Sequence, residues 1–327
     1  MASKLINSVY NFRESFQAIH KEALQWYPGH MGRSVKDIQR KLKLVDCVIE
    51  VQDARIPITG RNPNFQNISG IKPHILVLNK KDLADLKMKS EVEDALKKSG
   101  VHEIIYTNSK DTKCSGMKEI VPTICKLISS SDRYNRTECK DYCAMVIGVP
   151  NVGKSSLING LRVKYIGKGN ATKIGATAGI TRSIQTRIKV SENPLLYIID
   201  TPGILQPHIP DLEKGLRLAL CSCLKDNLVG TEIIADYLLF WLNKNGNFQY
   251  VHFMGLQEPT DNIVSVLTNC AILLGKYRKL RSSNGSGYIY KPDITFSAQY
   301  FLQAFRSGKF GKVMLDKDCV YIANGEL

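Results

Sequence analysis

The sequence has no apolar run of the roughly 18 residues that a membrane-spanning helix requires. Its longest apolar stretches, around Val146 and Leu238, have the length of a core strand or a core helix. We therefore expect no transmembrane span.

The sequence also lacks the paired CxxC spacing of zinc sites and disulfide frameworks. Its 9 cysteines are an odd number, and most lie in apolar runs, as Cys47 and Cys143 do. The pair Cys221 and Cys223 would need two further ligands to hold zinc. The pattern is typical of buried thiols in a reducing compartment and predicts no metal cluster.

Acidic residues are scarce relative to basic ones: 45 Lys and Arg stand against 30 Asp and Glu, a net charge of +15. This balance favours a polyanionic partner, either nucleic acid or an anionic membrane surface. The 327 residues, 43% of them hydrophobic, suffice for two domains with buried cores.

The first 25 residues carry apolar side chains at helical spacing and little negative charge. Two interpretations stay open, a weak mitochondrial transit segment or a short amphipathic helix packed on the next domain. The apolar residues concerned are Leu5, Val9, Phe12, Phe16 and Ile19, and within residues 1–20 Lys4 and Arg13 stand against one acid, Glu14.

Five short apolar, β-branched runs predict buried parallel strands, with helix-like stretches such as 85–98 and 116–128 between them. The alternation indicates an α/β fold with a doubly wound, mainly parallel sheet, which binds ligands at the carboxyl ends of its strands. The predicted strands are 44–53, 74–79, 102–107, 142–148 and 195–200.

Beyond Gly203 the pattern changes to apolar residues at intervals of three and four, which indicates a separate, mostly helical C-terminal region. The polar stretch 281–287 predicts a loop inside it. We therefore predict an N-terminal extension at 1–25, a nucleotide-binding domain at 26–208 and a smaller, mostly helical domain at 209–327.

The sequence GVPNVGKS at 148–155 is a complete P-loop motif between a predicted strand and a predicted helix. Its backbone amides would wrap a phosphate, Lys154 would reach the outer phosphate oxygens, and the Ser155 hydroxyl would bind Mg²⁺. The predicted phosphate contacts are Asn151, Val152, Gly153, Lys154, Ser155 and Ser156.

The motif DTPG at 200–203 fits a second phosphate element. Asp200 would hold Mg²⁺ through water, and the Gly203 amide would sense the γ-phosphate. Thr181 is the natural threonine to close on the same ion, and Thr177 is a competing candidate. We assign Ser155, Asp200 and Thr181 as metal ligands and count Lys154 and Thr181 as catalytic.

The motif NKKD at 79–82 ends a predicted strand and indicates guanine specificity when it accompanies a P-loop. The Asp82 carboxylate can accept hydrogen bonds from the ring N–H and the exocyclic amine of guanine, a pair that adenine does not offer. Asn79 would brace the loop and the Lys80 stem would cover the base. Asn108 and Ser109 would cover its far edge with a backbone amide.

The order of these motifs is permuted, because the guanine motif comes before the P-loop. Circular permutation leaves the sheet unchanged and is tolerated where the termini of a compact domain lie close together. In the permuted order the nucleotide domain ends just after DTPG, and the chain continues directly into the C-terminal region. We therefore expect the nucleotide state to be communicated to that region.

In this order of motifs, the chain resembles the circularly permuted GTPases that assemble ribosomes, which have mitochondrial and bacterial members. The resemblance covers nearly the whole chain. It includes WYPGHM at 26–31, DARIP at 53–57, RNP at 61–63 and FRSGK at 305–309.

The resemblance implies a GTP hydrolase that uses GTP, GDP and Mg²⁺ and acts in the assembly of the large subunit of the mitochondrial ribosome, and so in mitochondrial translation. It also implies binding to that subunit and its RNA. The location implied is the mitochondrial matrix, with peripheral contact on the matrix side of the inner membrane; the alternative is cytoplasmic.

The resemblance also implies roles for individual residues. Ile204 stands where signalling GTPases carry a catalytic glutamine. His30 of PGHM would replace that glutamine in orienting water, or would merely cap a turn, and Gln206 is a weaker rival. Asn151 matches the P-loop asparagine of potassium-stimulated relatives.

The chain departs from the family pattern at two places. The sequence AGIT at 178–181 replaces a proline-glycine switch motif, and Asn108-Ser109 only approximates a serine-alanine pair.

The segment 271–312 holds eight basic residues against one acid, with aromatic residues between them, a mixture that suits phosphate contact and base stacking. A solvated basic face is the plainer interpretation. The alternative function for the whole chain is a GTP-dependent switch at a membrane surface or in signalling. The basic residues are Lys276, Arg278, Lys279, Arg281, Lys291, Arg306, Lys309 and Lys312, the acid is Asp293, and the aromatic residues between them include Tyr277, Tyr288, Tyr290 and Phe305.

Overall fold

The chain forms two units, each built from two separate stretches of sequence. One unit combines Met1–Leu24 with Asp226–Gly311, and the other combines Gln25–Lys225 with Lys312–Leu327. The computed structural model describes residues 10, 12–17, 30–63, 65, 72–133, 136–169, 171–172, 187–205, 209, 211–281 and 287–325, without the side chains of residues 30–35.

A six-stranded sheet organises the larger unit. The strand order is β3-β2-β1-β4-β6-β5, and all neighbours pair in parallel except β5 and β6. The strands are β1 (Cys47–Asp53), β2 (His74–Asn79), β3 (Ile104–Tyr106), β4 (Tyr142–Ile147), β5 (Ile188–Glu192) and β6 (Leu195–Asp200).

The central strands β1, β2 and β4 are buried along nearly their whole length, which explains their continuous apolar sequences. The helices and the hydrophobic clusters lie against them. The helices of this unit are α1 (His30–Lys41), α2 (Lys89–Lys98), α3 (Ser115–Ser129), α4 (Lys154–Ile166), α5 (Leu212–Leu220) and α11 (Lys317–Asn324).

The predicted α/β class and mainly parallel sheet are confirmed, and the five predicted strands correspond to β1, β2, β3, β4 and β6. The edge strand β5 was not predicted. It pairs antiparallel with β6 and alternates buried Ile188 and Val190 with the more exposed Lys189. That alternation is the pattern of a strand covered on one face.

The smaller unit is mostly helical, as predicted, but it also contains a β-hairpin. Its helices are α6 (Asp226–Val229), α7 (Thr231–Lys244), α8 (Gln249–Phe253), α9 (Ile263–Leu273) and α10 (Ile294–Arg306). The antiparallel strands β7 (Tyr277–Arg281) and β8 (Tyr288–Pro292) flank the loop predicted at 281–287, of which residues 282–286 lie outside the described part.

The N-terminal segment is part of the smaller unit. Residues 12–17 are not helical, in contrast to the helical spacing of their apolar side chains. Phe16 lies against Tyr237 of α7, with 5.2 Å between ring centroids, and Arg13 pairs with Asp236 at 2.7 Å and with Asp261 at 2.9 Å. Tertiary contacts thus decide the conformation here over periodicity.

The unit boundaries differ from the predicted domains at 1–25, 26–208 and 209–327. Residues Lys312–Leu327 belong to the larger unit, because their polar groups complete its hydrogen bonds. The buried Asp316 carboxylate accepts hydrogen bonds from the backbone amides of Ile58 and Thr59 at 2.8 and 2.7 Å. Val313 forms a parallel bridge to Ala84.

Within the described ranges, no helix has both the length and the apolar character needed to cross a bilayer.

Candidate functional site

The predicted nucleotide motifs meet at one edge of the six-stranded sheet. The strand order reverses between β1 and β4: β2 and β3 lie beyond β1, whereas β6 and β5 lie beyond β4. Ligands of open α/β sheets bind in the crevice outside such a reversal, at the carboxyl ends of the strands. The P-loop 148–155 follows β4, NKKD follows β2 and DTPG follows β6. We call these three loops the nucleotide edge.

Lys154 begins α4 and folds back into the P-loop. Its ammonium donates hydrogen bonds to the carbonyl oxygens of Gly148 at 3.0 Å and of Val149 at 2.9 Å. Burial lowers the pKa of Lys154 to about 8, and the carboxylate of Asp200 opposes that shift. A buried cation at the start of a helix, where backbone amides point outward, suits a phosphate group.

Ser155 and Asp200 form the polar centre of the edge. The Ser155 hydroxyl donates to Asp200 Oδ2 at 2.9 Å. Burial raises the pKa of the Asp200 carboxyl, against the opposing effects of Lys154 and of the Ser155 hydrogen bond. Asp200 Oδ1 is buried without a hydrogen-bond partner in the described part of the chain. Two hard oxygens, one of them unsatisfied, are a donor set that fits Mg²⁺.

DTPG lies directly against the P-loop. Thr201 donates its hydroxyl to the Val146 carbonyl at 2.7 Å, and the Ile204 amide donates to the Gly148 carbonyl at 3.2 Å. A Cβ at Gly203 would lie 2.6 Å from Pro150 Cα, so the contact requires glycine. Ile204 itself is buried in the core cluster beside β4. The Ile204 side chain therefore supplies no polar group to the edge.

Asn79 joins the guanine motif to the P-loop. Its side-chain nitrogen donates to the Val152 carbonyl at 2.8 Å, and its oxygen accepts from the amide and hydroxyl of Ser109 at 3.0 and 2.7 Å. Gly153 has φ +99°, and a Cβ there would lie 2.3 Å from Asn79 Nδ2. One buried amide therefore fixes the positions of the loops after β2, β3 and β4.

The remaining guanine-motif residues lie around this bridge. Asp82 is exposed and Asn108 is partly exposed. The Asn108 amide donates to Cys114 Sγ at 3.4 Å, and the Lys110 amide donates to Asn108 Oδ1 at 3.0 Å. Ser109 uses its own amide on Asn79, so its role in this geometry is to support the bridge. Ser156 is partly buried in the first turn of α4.

A buried charge cluster lies next to the guanine motif, and its geometry was not predicted. The Asp53 carboxylate at the end of β1 contacts Arg55 at 2.8 Å and Lys80 at 3.0 Å. Burial raises the pKa of Asp53, but the charges of Arg55 and Lys80 more than offset it and hold the pKa well below its usual range. Asp53 thus orients the ammonium of the NKKD lysine, whose backbone φ is +60°.

DARIP carried the only signal for this cluster, as a motif of unassigned role. Contact between Asp53 and Lys80 depends on β1 pairing with β2 in the register that places Asp53 opposite Asn79. Both strands are buried on both faces, so their continuous apolar sequences show no alternation from which that register could be inferred.

Asn151 links the P-loop to the turn after α5. Its side-chain nitrogen donates to the Ser222 carbonyl at 2.9 Å, and both residues have positive φ, +59° and +61°. Cys221 and Cys223 beside this turn are buried, and burial raises the pKa of both thiols. Among the described residues, no group of three or more metal-ligating side chains is present.

Several predicted residues lie outside the described part. Thr181, its rival Thr177 and Gln206 are in this group, and so is most of WYPGHM. The backbone of His30 starts α1, but its side chain is outside the described part as well.

Comparison with known proteins places this sequence among GTPases. A family model described as 50S ribosome-binding GTPase matches residues 143–267. Mitochondrial GTPase 1 of Aedes aegypti is 54% identical over 94% of this chain and 98% of its own length. Mitochondrial ribosome-associated GTPase 1 of Bos taurus is 49% identical, over 94% of this chain and 92% of its own.

Similarity extends to bacterial proteins and to a solved structure. Ribosome biogenesis GTPase A of Bacillus cereus is 34% identical over 90% of this chain and 93% of its own length. The crystal structure of GNP-bound YlqF from T. maritima has a TM-score of 0.56 over 86% of this chain and 97% of that chain; at 23% identity it bears on the fold alone. The chain belongs to the family of mitochondrial ribosome-associated GTPases and bacterial ribosome biogenesis GTPases, and its nucleotide domain is a circularly permuted P-loop GTPase domain.

Proposed function

We propose that this chain hydrolyses GTP to GDP and phosphate during assembly of the large subunit of the mitochondrial ribosome, in the mitochondrial matrix. The observation that carries the proposal is the Asn79 bridge, which joins a guanine-reading loop to a P-loop at 2.8 Å. This bridge would hold base selection and phosphate binding in one arrangement. The relatives' names supply the ribosome and the mitochondrion as context.

The roles of the binding residues follow from their positions. Lys154 exchanges its carbonyl partners for the β- and γ-phosphate oxygens, and the amides of 151–156 surround the β-phosphate. Asp82 accepts the two guanine hydrogens, while Asp53 holds the Lys80 ammonium beside the base. Ser155 and Asp200 would hold Mg²⁺. A bound Mg²⁺ neutralises phosphate charge as it develops in the transition state.

His30, Thr181 and Asn151 complete the proposed catalytic set. Because Ile204 is buried and apolar, the attacking water needs another group, and we assign that role to His30. Thr181 would close on Mg²⁺, and K⁺ would bind beside Asn151. His30→Ala should then slow single-turnover hydrolysis while GTP affinity stays unchanged. Unchanged turnover with ribosomal subunits present would limit His30 to a structural role.

Sedimentation with mitochondrial large subunits tests the partner. We expect the chain to co-sediment more strongly with a non-hydrolysable GTP analogue than with GDP. Linkage then requires the subunit to tighten GTP binding by the same factor, roughly 5- to 150-fold for a typical coupling. Small subunits serve as the control. Equal binding to both subunits would contradict assembly of the large one.

Peripheral attachment to the inner membrane needs a separate test. The +15 charge suits anionic lipid as well as RNA, so peripheral contact with the inner membrane is part of the proposal. Flotation with cardiolipin-containing vesicles measures it. Strong flotation without subunit binding would favour the membrane-surface switch.

A further inference from the structure

The β7–β8 hairpin stands out in the smaller unit because nearly all of its side chains are exposed. Its register pairs Arg278 with Lys291, Lys279 with Tyr290 and so on along the ladder. A two-stranded hairpin is only marginally stable alone, and large exposed rings on it would be a liability without a use. Tyr288 and Tyr290 are 62% and 63% exposed.

The hairpin has two faces of different composition. Residues opposite each other in an antiparallel ladder share a face, and neighbours along a strand alternate. One face, here called the tyrosine face, carries Tyr277, Lys279, Arg281, Tyr288 and Tyr290. The opposite face carries Arg278, Leu280, Ile289 and Lys291.

The two faces also differ in free positive charge. On the opposite face, Arg278 pairs with Asp293 at 3.2 Å, which leaves Lys291 as the one cation of that face without an acidic partner among the described residues. On the tyrosine face, Lys279 and Arg281 have no acidic partner among the described residues. Lys279 Nζ instead lies 3.8 Å from the centre of the Tyr288 ring. The ammonium therefore lies over one face of the Tyr288 ring, while the residue as a whole stays 62% exposed.

We propose that the tyrosine face is a stacking platform for an unpaired stretch of RNA, a proposal that rests on the ribosomal function above. Bases would stack on the rings of Tyr288 and Tyr290, and Lys279 and Arg281 would contact the phosphates between them. Both kinds of contact are independent of base sequence, so the platform selects single strands without selecting a sequence.

The spacing of the rings favours an unpaired strand over a duplex. Same-face residues two apart along a strand are separated by about 7 Å, twice the rise per residue. That distance is about twice the 3.4 Å separation of bases stacked in a duplex strand. A duplex cannot open its bases to that spacing, whereas an unstacked single strand can.

Membrane binding fits the tyrosine face less well. The aliphatic side chains that would enter lipid, Leu280 and Ile289, are on the opposite face. A protein partner would need acidic groups that contact Lys279 and Arg281. If the tyrosine face served such a partner, the chain would show no preference for unpaired RNA. Both remain as measurable outcomes of the test.

Binding of fluorescent oligonucleotides to the full chain tests the platform. We expect an unpaired 12-nucleotide RNA to bind more tightly than a hairpin duplex of equal charge. Replacing both tyrosines, in Y288A/Y290A, should lower the affinity for the single-stranded RNA by at least about tenfold, because each stacked base contributes roughly 5- to 150-fold to affinity. The matched control Y288F/Y290F keeps the rings and should bind normally.

Charge variants separate the two faces. K279Q/R281Q and R278Q/K291Q each remove two positive charges, but only the first pair is on the tyrosine face. The first should weaken single-strand binding and flatten its dependence on salt, and the second should leave both nearly unchanged. Equal effects of the two pairs would overturn the platform and leave a general basic surface.

Further outcomes keep the inference distinct from the proposed function. If Y288A/Y290A lost binding to anionic vesicles or to subunit proteins but still bound RNA normally, the platform proposal would be overturned in favour of those partners. Basal GTP hydrolysis should be unchanged in every hairpin variant. If the wild-type chain binds unpaired RNA but not large subunits, the ribosomal role is wrong and the platform proposal stands. If it binds large subunits but not unpaired RNA, only the platform proposal is overturned.

Discussion

The nucleotide edge and the β7–β8 hairpin place their polar side chains in opposite environments. At the edge, Asn79, Lys154 and Asp200 are buried and bound by neighbouring loops. On the hairpin, Lys279 and Tyr288 contact each other and are otherwise open to solvent. The first region is prearranged for a small ligand, whereas the second presents an open surface that suits a large one.

This difference predicts how each region responds to mutation. A buried polar group that loses its partner costs about 1–3 kcal/mol, so changes at the buried residues of the edge should affect both ligand binding and folding. Exposed side chains seldom change stability by more than about 0.5 kcal/mol. Hairpin variants should therefore change binding alone.

The largest expected effect is that of Lys154→Ala. In the proposed site the Lys154 ammonium contacts the reacting phosphates, so its removal should lower GTP hydrolysis by roughly 100- to 1,000-fold, while RNA binding through the hairpin is kept. The control is Lys164→Ala on the same helix, whose ammonium donates to the Thr112 carbonyl at 3.1 Å and should be dispensable for turnover. Multiple-turnover phosphate release measures both; comparable rates in the two variants would contradict the P-loop assignment.

Asp82→Asn should have the next largest effect. The change replaces an acceptor with a donor facing the guanine amine, and a hydrogen bond to a charged group corresponds to roughly 10- to 100-fold in affinity. Because Asp82 is exposed, the melting temperature should stay the same. Asp85→Asn, in the same loop, is the control. Competition binding with GTP and ATP decides: an unchanged GTP preference would remove Asp82 from the guanine site.

Gly153→Ala tests the Asn79 bridge. The new Cβ would lie 2.3 Å from Asn79 Nδ2, so the bridge must shift, and GTP affinity should fall by about tenfold. Gly167→Ala is matched to it: Gly167 also has positive φ, +72°, but nothing lies within 4 Å of a Cβ there. The positive φ should cost both variants about 1 kcal/mol of unfolding free energy. Gly153→Ala should lose more than Gly167→Ala because of its contact with Asn79, and only Gly153→Ala should lose GTP affinity. Equal GTP affinities would show that the bridge is dispensable.

The sequence predicted most of the larger unit because its information is local. Continuous apolar runs identified β1, β2 and β4, and the three nucleotide motifs each occupy a single loop. The Asp53, Arg55 and Lys80 cluster could not be derived in this way, because it depends on the register between β1 and β2. A hydrophobic pattern can show which face of a strand is buried, but it does not show which residue of the neighbouring strand each residue pairs with.

The smaller unit was harder to predict because its hairpin has no buried face. Strands are recognised by alternation between core and solvent, and both faces of β7 and β8 are exposed. The basic and aromatic residues were recognised, but not the alternation that divides them into two faces. The return of Lys312–Leu327 to the larger unit, through Asp316, is a long-range contact with no local signal.

The smallest expected effect concerns pH and follows from the burial of Lys154. Burial lowers its pKa to about 8 in the free chain, whereas bound phosphates favour the charged ammonium. GTP binding should therefore take up protons, about half a proton at pH 8 and about a tenth at pH 7. Affinity should fall by about threefold between pH 7.5 and 8.5, because the free ammonium is lost as pH rises through its pKa.

The sign for stability is the reverse. The folded pKa lies below the usual 10.5, so the unfolded chain binds more protons between about pH 8 and 10.5, and the contribution of Lys154 to the unfolding free energy rises with pH across that window. Calorimetry of GTP binding at pH 8, in buffers of different ionisation enthalpy, measures the proton uptake directly. Lys154→Ala is the control, because any uptake that remains in it belongs to another group. The wild-type chain could instead take up no more protons than the variant. In that case the Lys154 ammonium would already be fully charged in the free chain, and the nucleotide edge would stabilise it equally well with and without bound nucleotide.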